Sequence, residues 1–188
     1  MSIQLLSVNT AGVSKLLIDG QLHASAIRKR STPAVVTVGP LGLAGDEQAD
    51  PRYHGGVNKA VYAYPHEHYA WWQQQRAQHG LPDSPLPYGF MGENLTLTGL
   101  LETELYVGDF LHFPDCTLRV TEPREPCFKF THVMGYARAA KDMLQTGFSG
   151  SYLAVSRAGS VQAGQTAHVE AGPRQTPLLS LLPGQRPA

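Results

Sequence analysis

The chain has 188 residues, and fifteen Lys and Arg balance fifteen Asp and Glu. That length suits one domain with a core of its own. Charged residues are only 16% of the total, so no global field draws nucleic acid, and any anion site must be local.

The N-terminal MSIQLLSVNT lacks the charged region and long apolar run of a secretory leader. IQLLSV (3–8) predicts a strand. LLIDGQLHASAI (16–27) predicts a hairpin, because Asp19-Gly20 is a two-residue turn signal between strand-like flanks. AVVTV (34–38), stopped by Gly39-Pro40, predicts a buried strand. A glycine-rich loop ending in PRYHGG (51–56) leads into a strand at KAVYAY (59–64). PHEHYAWWQQQRAQHG (65–80) predicts a helix, with Pro65 at its first position and Gly80 as its stop. Tyr69, Trp72 and Arg76 fall on one face of it. LPDSPLPYG (81–89) reads as a loop, and NLTLTGL (94–100) and ELYVGDFLHF (104–113) as strands. In CTLRVTE (116–122), Cys116, Leu118 and Val120 alternate with polar residues, the period of a half-buried strand. ARAAKDMLQTG (137–147) predicts a second helix, closed by Gly147, and SYLAVSR (151–157) and QTAHVE (165–170) the last strands. Residues 173–188 form a Pro-rich tail that is expected to be loosely held.

Nine or ten short strands and two helices, without βα alternation, point to a mainly β, barrel-like domain over residues 1–172 with a few inserted helices. No stretch approaches the ~18–20 apolar residues that span a bilayer. Two cysteines make no disulfide framework at this length. The expected compartment is the cytoplasm, with neither nucleic acid nor membrane as partner.

Cys127 lies in TEPREPCFK (121–129), behind Pro123 and Pro126 and between Arg124 and Lys129. The prolines stiffen the loop, and the cations favour a thiolate, the form that attacks or binds soft metals. Packing and reactivity both remain open for it on spacing alone, whereas Cys116 sits on the apolar phase of a strand and is expected to be inert. Zinc is not expected: there is no CxxC, and His66 and His68 diverge on a helix. In GDEQADPRYHGG (45–56), Arg52, His54 and two glycines suit either a ligand loop or a plain turn. Asn94, in FMGENLT (90–96), suits either a ligand's polar edge or an Asx-turn. Lys29, in SAIRKR (25–30), is a candidate anion clamp or a solvated charge.

YHGG followed by a strand and YPHEHYAWW, GENLTLTGL, LYVGD and PREPC, in this order, resemble the MOSC domain family, named after the C-terminal part of molybdenum cofactor sulfurase. The resemblance covers roughly residues 15–172 and is nearest to the small stand-alone bacterial branch. It implies a β-barrel-like fold that binds molybdenum held by a pyranopterin. Cys127 would be the protein ligand to the metal and the catalytic residue. Ser25, Lys29, His54, Asn94 and Arg124 would hold the cofactor's phosphate and pterin. The implied activity is two-electron removal of the N–OH oxygen from N-hydroxylated compounds such as hydroxylaminopurines. The chain has neither a flavin fingerprint nor an iron–sulfur cysteine set, so the implied electron donor is a separate flavin-dependent protein. The wider family also brings sulfur carriage and pyridoxal phosphate binding as attributes. Larger members carry an extra N-terminal domain, and some bacterial relatives continue into a helical C-terminal segment where this chain has its Pro-rich tail.

Two other functions compete with the reductase. One is a non-catalytic carrier of the cofactor, or of sulfur as a persulfide on Cys127. The other is a thiol hydrolase using His54, His112 or His132 as base, although no nucleophile signature surrounds Cys127.

Overall fold

The computed structural model describes residues 3–51 and 53–185. Among them are thirteen strands and three α-helices. The strands are β1 (Ile3–Thr10), β2 (Ser14–Ile18), β3 (Gln21–Ser25), β4 (Arg30–Thr32), β5 (Val36–Gly39), β6 (Gly42–Leu43), β7 (Val61–Pro65), β8 (Leu95–Thr98), β9 (Phe110–His112), β10 (Thr117–Pro123), β11 (Ser151–Arg157), β12 (Gly159–Val161) and β13 (Thr166–Glu170). The helices are α1 (Tyr69–Gln78), α2 (Phe128–Met134) and α3 (Ala139–Thr146).

Seven strands run in the order β13-β9-β10-β11-β7-β8-β1, and pairing of β1 with β13 closes them into a barrel. All neighbours are antiparallel except β7 and β8. The barrel interior is filled by small and branched residues, among them Leu5, Val61, Leu95, Leu111, Leu118, Val120 and Leu153. Closure removes the unpaired edges that an open sheet exposes.

β7 is buried along its whole length. Val61 and Ala63 join the barrel core, while Tyr62 and Tyr64 join a second, aromatic core with Tyr69, Trp72, Phe130 and Met143 under the helices. Trp72 donates through Nε1 to the Tyr64 hydroxyl at 2.5 Å, so its one polar atom is satisfied although buried. This double burial follows from the period of VYAY: one phase is small and apolar, the other tyrosine. Among the described residues no helix is long and apolar enough to cross a membrane.

The Asp19-Gly20 hairpin forms as the sequence predicts, with both residues at positive φ (48° and 77°) and Ile18 opposite Gln21. The helix at 65–80 begins with a 3-10 turn over His66–His68 before α1. Three expectations need correction. ELYVGDFLHF is not one strand: a 3-10 turn (Glu102–Glu104) and a bend at Gly108 precede β9. The strand expected from residue 59 starts at Val61, after a 3-10 turn over Val57–Lys59. Two helices were expected, and α2 adds a third among the described residues, although β-branched and aromatic residues dominate FKFTHVM.

The tail, expected to be loosely held, packs on the barrel as far as the described residues run. Leu178 and Leu182 are fully buried, and the Leu178 amide donates to the Leu105 carbonyl at 2.9 Å. Gln185 Nε2 donates to the carbonyls of Leu144 and Gln145. PLLSLL supplies apolar side chains that plug the barrel's flank, which outweighs the prolines around it. Leu178→Ala is expected to lower the unfolding free energy by about 2–5 kcal/mol, read as a fall in the urea midpoint. An unchanged midpoint would mean that the tail adds nothing to the core.

Candidate functional site

β10 carries a bulge between Val120 and Glu122. A bulge bends its strand and changes the direction in which the chain leaves it. Here the chain leaves β10 through Pro123, Arg124 and Pro126, and reaches Cys127 as the residue that caps α2. Cys127 lies in extended conformation (φ −126°, ψ 171°). The stiff PREPC segment therefore ends at a helix start, with the sulfur half-buried.

That sulfur borders a cleft of about 630 Å³, lined among others by Ser25, Lys29, Asp46, His54, Tyr62, Asn94, Arg124 and Tyr152. Every residue expected at a site from the family resemblance thus meets the others at one place. The cleft lies against the outer face of β7 and β11, where Tyr62 and Tyr152 project. Gly92, at φ +86°, forms part of its wall; a Cβ there would stand 2.9 Å from Ile27 Cγ1 and 3.7 Å from an Arg124 nitrogen, so only glycine lets the two segments close.

The Cys127 thiol is held down at about 6. Burial opposes its ionisation. A hydrogen bond from the His54 side chain, the Arg124 guanidinium and the Phe130 amide more than offset that. His54 Nδ1 lies 3.1 Å from the Tyr152 hydroxyl. A neutral His54 that donates to the sulfur then accepts from the Tyr152 hydroxyl at Nδ1. By contrast, burial pushes the Cys116 thiol up to about 11, and its side chain is fully enclosed in the barrel. Both cysteines are free.

Arg124 is 4% exposed. It donates to the Met91 carbonyl, and its guanidinium carbon lies 4.9 Å from the Tyr62 ring centroid and 5.2 Å from that of Phe130. Burial opposes its charge, and Tyr62, Tyr152 and Cys127 beside it more than offset that cost, while the two rings hold the guanidinium rigidly. Lys29 is also buried, and its ammonium pairs with Asp46. Burial lowers the Lys29 pKa, and Asp46 works against that shift. Asp46 in turn accepts from the Ala11 amide at 2.9 Å and from Asn94 Nδ2 at 2.9 Å.

Asn94 is placed differently from the expectation that its amide reads a ligand. Its Oδ1 accepts from the Tyr62 amide at 3.0 Å, and its Nδ2 donates to Asp46 and to the Asn9 carbonyl. It is a positioning residue that fixes Asp46 and thereby Lys29. The Gly56 amide likewise does not await an anion; it donates to Gln48 Oε1 at 2.8 Å. The Ser25 hydroxyl accepts from the Ile27 amide at 3.3 Å, in the bend that brings the chain from β3 to the cleft. Arg52 lies outside the described residues. His112 and His132, the other candidate bases, do not line the cleft; His112 faces Glu170 and Thr117.

Sequence reading missed Tyr62, Tyr152, Asp46 and Lys59. The two tyrosines read as strand residues, and only their pairing in register, Tyr62 opposite Tyr152, brings them together. Beside them Glu93 is fully buried and burial raises its pKa. Its Oε1 takes the Tyr69 hydroxyl, the Gly89 amide and Thr96 Oγ1. Among the described residues no group of three or more His, Cys, Asp or Glu is placed to hold a metal ion.

The depressed thiol has a checkable signature. Carbamidomethylation of Cys127, followed by mass spectrometry from pH 4.5 to 9, is expected to show a half-rise near pH 6, with Cys116 unmodified in the folded protein. The same depression makes ionised Cys127 stabilising above its ordinary pKa of about 9, with that contribution lost as pH falls through 6. A half-rise at 8 or above would mean that His54 and Arg124 do not act on the sulfur.

The family described as "MOSC domain" matches residues 50–168. The chain is 35% identical over 159 residues to the uncharacterized protein YflK of Bacillus subtilis, covering 85% of this chain and 69% of that one. It is 35% identical over 140 residues to the protein YiiM of Escherichia coli, covering 74% and 61%. A protein of Gibberella moniliformis named a reductase is 33% identical over 165 residues, covering 86% of this chain but 28% of its own length. Among solved structures, YiiM from Geobacillus stearothermophilus superposes with a TM-score of 0.71 at 28% identity, covering 90% of this chain and 75% of that one. YiiM from Escherichia coli superposes with a TM-score of 0.74 at 23% identity, covering 97% and 76%, a likeness of fold alone. The closed barrel, the shared sequence and the family match over most of the chain lead to one conclusion: this chain belongs to the MOSC domain family.

Proposed function

We propose that the protein is a molybdenum cofactor-dependent reductase of N-hydroxylated compounds, with hydroxylaminopurines as the model substrates. The observation that carries this reading is the Cys127 thiol, ionised near neutral pH at the wall of a cleft that also holds Arg124 and Lys29. The donor set fits the cofactor. A thiolate is a soft ligand for molybdenum. Arg124 and Lys29 offer charge to a phosphate. The Gibberella protein called a reductase supports oxidoreductase chemistry, and this chain spans only part of it.

When bound, the cofactor supplies two-electron redox chemistry that no side chain here can supply. The chain's own residues hold and protonate. Cys127 gives the sulfur, and Arg124, fixed by Met91, Tyr62 and Phe130, gives a cation that cannot swing away. Reduction of R–NHOH to R–NH2 and water consumes two electrons and two protons. His54, with the Tyr152 hydroxyl behind it, is placed to hold one proton next to the sulfur and to be refilled. A separate flavin-dependent protein would deliver the electrons. The alternative, a carrier of cofactor or persulfide, uses the same thiolate without turnover.

Cofactor-loaded protein given a reduced viologen is expected to convert 6-hydroxylaminopurine to adenine. Loaded protein that reduces no N-hydroxylated compound would leave the carrier as the better reading.

A further inference from the structure

Two large aromatic side chains stand in solvent beside Cys127. Tyr53 is 67% exposed and Phe128 is 53% exposed. Single exposed aromatics need no explanation, but these two line one outer cleft, of about 980 Å³. That cleft shares Cys127, His54, Lys59 and Tyr152 with the deeper one. Phe128 is the first residue of α2, directly after Cys127. Its ring is braced edge-on by His23 at 5.0 Å and has Lys129 Nζ 5.9 Å from its centroid. Tyr53 precedes His54, and its carbonyl accepts from Lys59 Nζ at 2.9 Å. Glu122, paired with Lys59 at 3.2 Å, and Glu125 put carboxylates in the same cleft.

We propose that this outer cleft is the substrate vestibule, and that Tyr53 and Phe128 form a stacking platform selecting planar heteroaromatic substrates. The substrate's reaction is taken from the function proposed above; the platform itself rests on the two rings. An aromatic face left in water beside a reactive group gains burial and stacking when a flat ring covers it. Such stacking tolerates any heteroaromatic ring but gives nothing to an aliphatic hydroxylamine. The Glu125 and Glu122 carboxylates are acceptors only, and so suit ring N–H and exocyclic amino donors. Bracing by His23 fixes one ring before the substrate arrives, which limits the entropy lost on binding.

The test uses the full chain and 2-aminopurine, whose fluorescence is quenched by stacking. The wild-type protein is expected to quench it saturably, and cyclohexylamine is expected not to displace it. The Tyr53→Ala/Phe128→Ala double variant should bind about tenfold or more weakly, whereas the single Phe128→Tyr variant, which keeps two rings, should bind close to wild type. Equal affinity in wild type and double variant, or no saturable quenching by wild type, would overturn the platform. Its failure is separable from that of the reductase. Loaded wild type that binds 2-aminopurine as expected but reduces no hydroxylaminopurine removes the reductase and leaves the platform. Turnover with equal binding in all variants removes the platform and leaves the reductase.

Discussion

Cys127→Ser is expected to cut turnover of an N-hydroxylated substrate by more than about a hundredfold, with the fold retained. The two side chains differ little in volume, and Cys127 is only half-buried, so packing should change by less than about 1.5 kcal/mol. The chemistry differs far more. The thiol sits near 6 because His54, Arg124 and the Phe130 amide stabilise its anion. A serine hydroxyl stays protonated in the same place and is a hard, weak donor to molybdenum. Circular dichroism should match the parent protein, with the thermal midpoint lowered only modestly by loss of the stabilising thiolate, while steady-state reduction disappears. Full activity in the variant would remove Cys127 from the ligand role.

Arg124→Ala is expected to act twice. It removes a buried cation that donates to the Met91 carbonyl and stacks on Tyr62 and Phe130, which should cost about 2–4 kcal/mol of stability. It should also lower the molybdenum content, because the cleft loses its most firmly held positive charge. Arg124→Lys separates the two effects. It keeps a charge but loses the planar, stacked geometry, so it should recover part of the occupancy and little of the packing. Denaturant midpoints and metal content read on the same samples distinguish these outcomes. Unchanged molybdenum in both variants would make Arg124 a purely structural residue.

Much of this site was legible only through the family resemblance that PREPC, YHGG and GENLT carry. On spacing alone, Cys127, Lys29, His54 and Asn94 each kept a plain structural reading beside the functional one. Cys127, Lys29, His54 and Arg124 meet at one cleft. What each one touches was not legible. Lys29 meets Asp46 across a loop, and Asn94 is committed to the Tyr62 amide and Asp46; both depend on how the loop at 45–56 lies against β8, which no local pattern encodes. Tyr62 and Tyr152 looked like ordinary strand residues because their place at the cleft arises from cross-strand register. In the fold, turn chemistry and period 2 are enough to identify the Asp19-Gly20 hairpin and the alternation in β10. They are not enough for the C-terminal tail, because Pro-rich composition hides two leucines whose burial is a tertiary fact.

Molybdenum content is the most direct test of the central claim that the Cys127 cleft holds the cofactor. Protein produced in a cofactor-proficient host and analysed by plasma mass spectrometry is expected to carry close to one molybdenum per chain, with most of it lost when Cys127 is replaced by serine. Wild-type protein without molybdenum, carrying labile sulfur on Cys127 instead, would contradict the account.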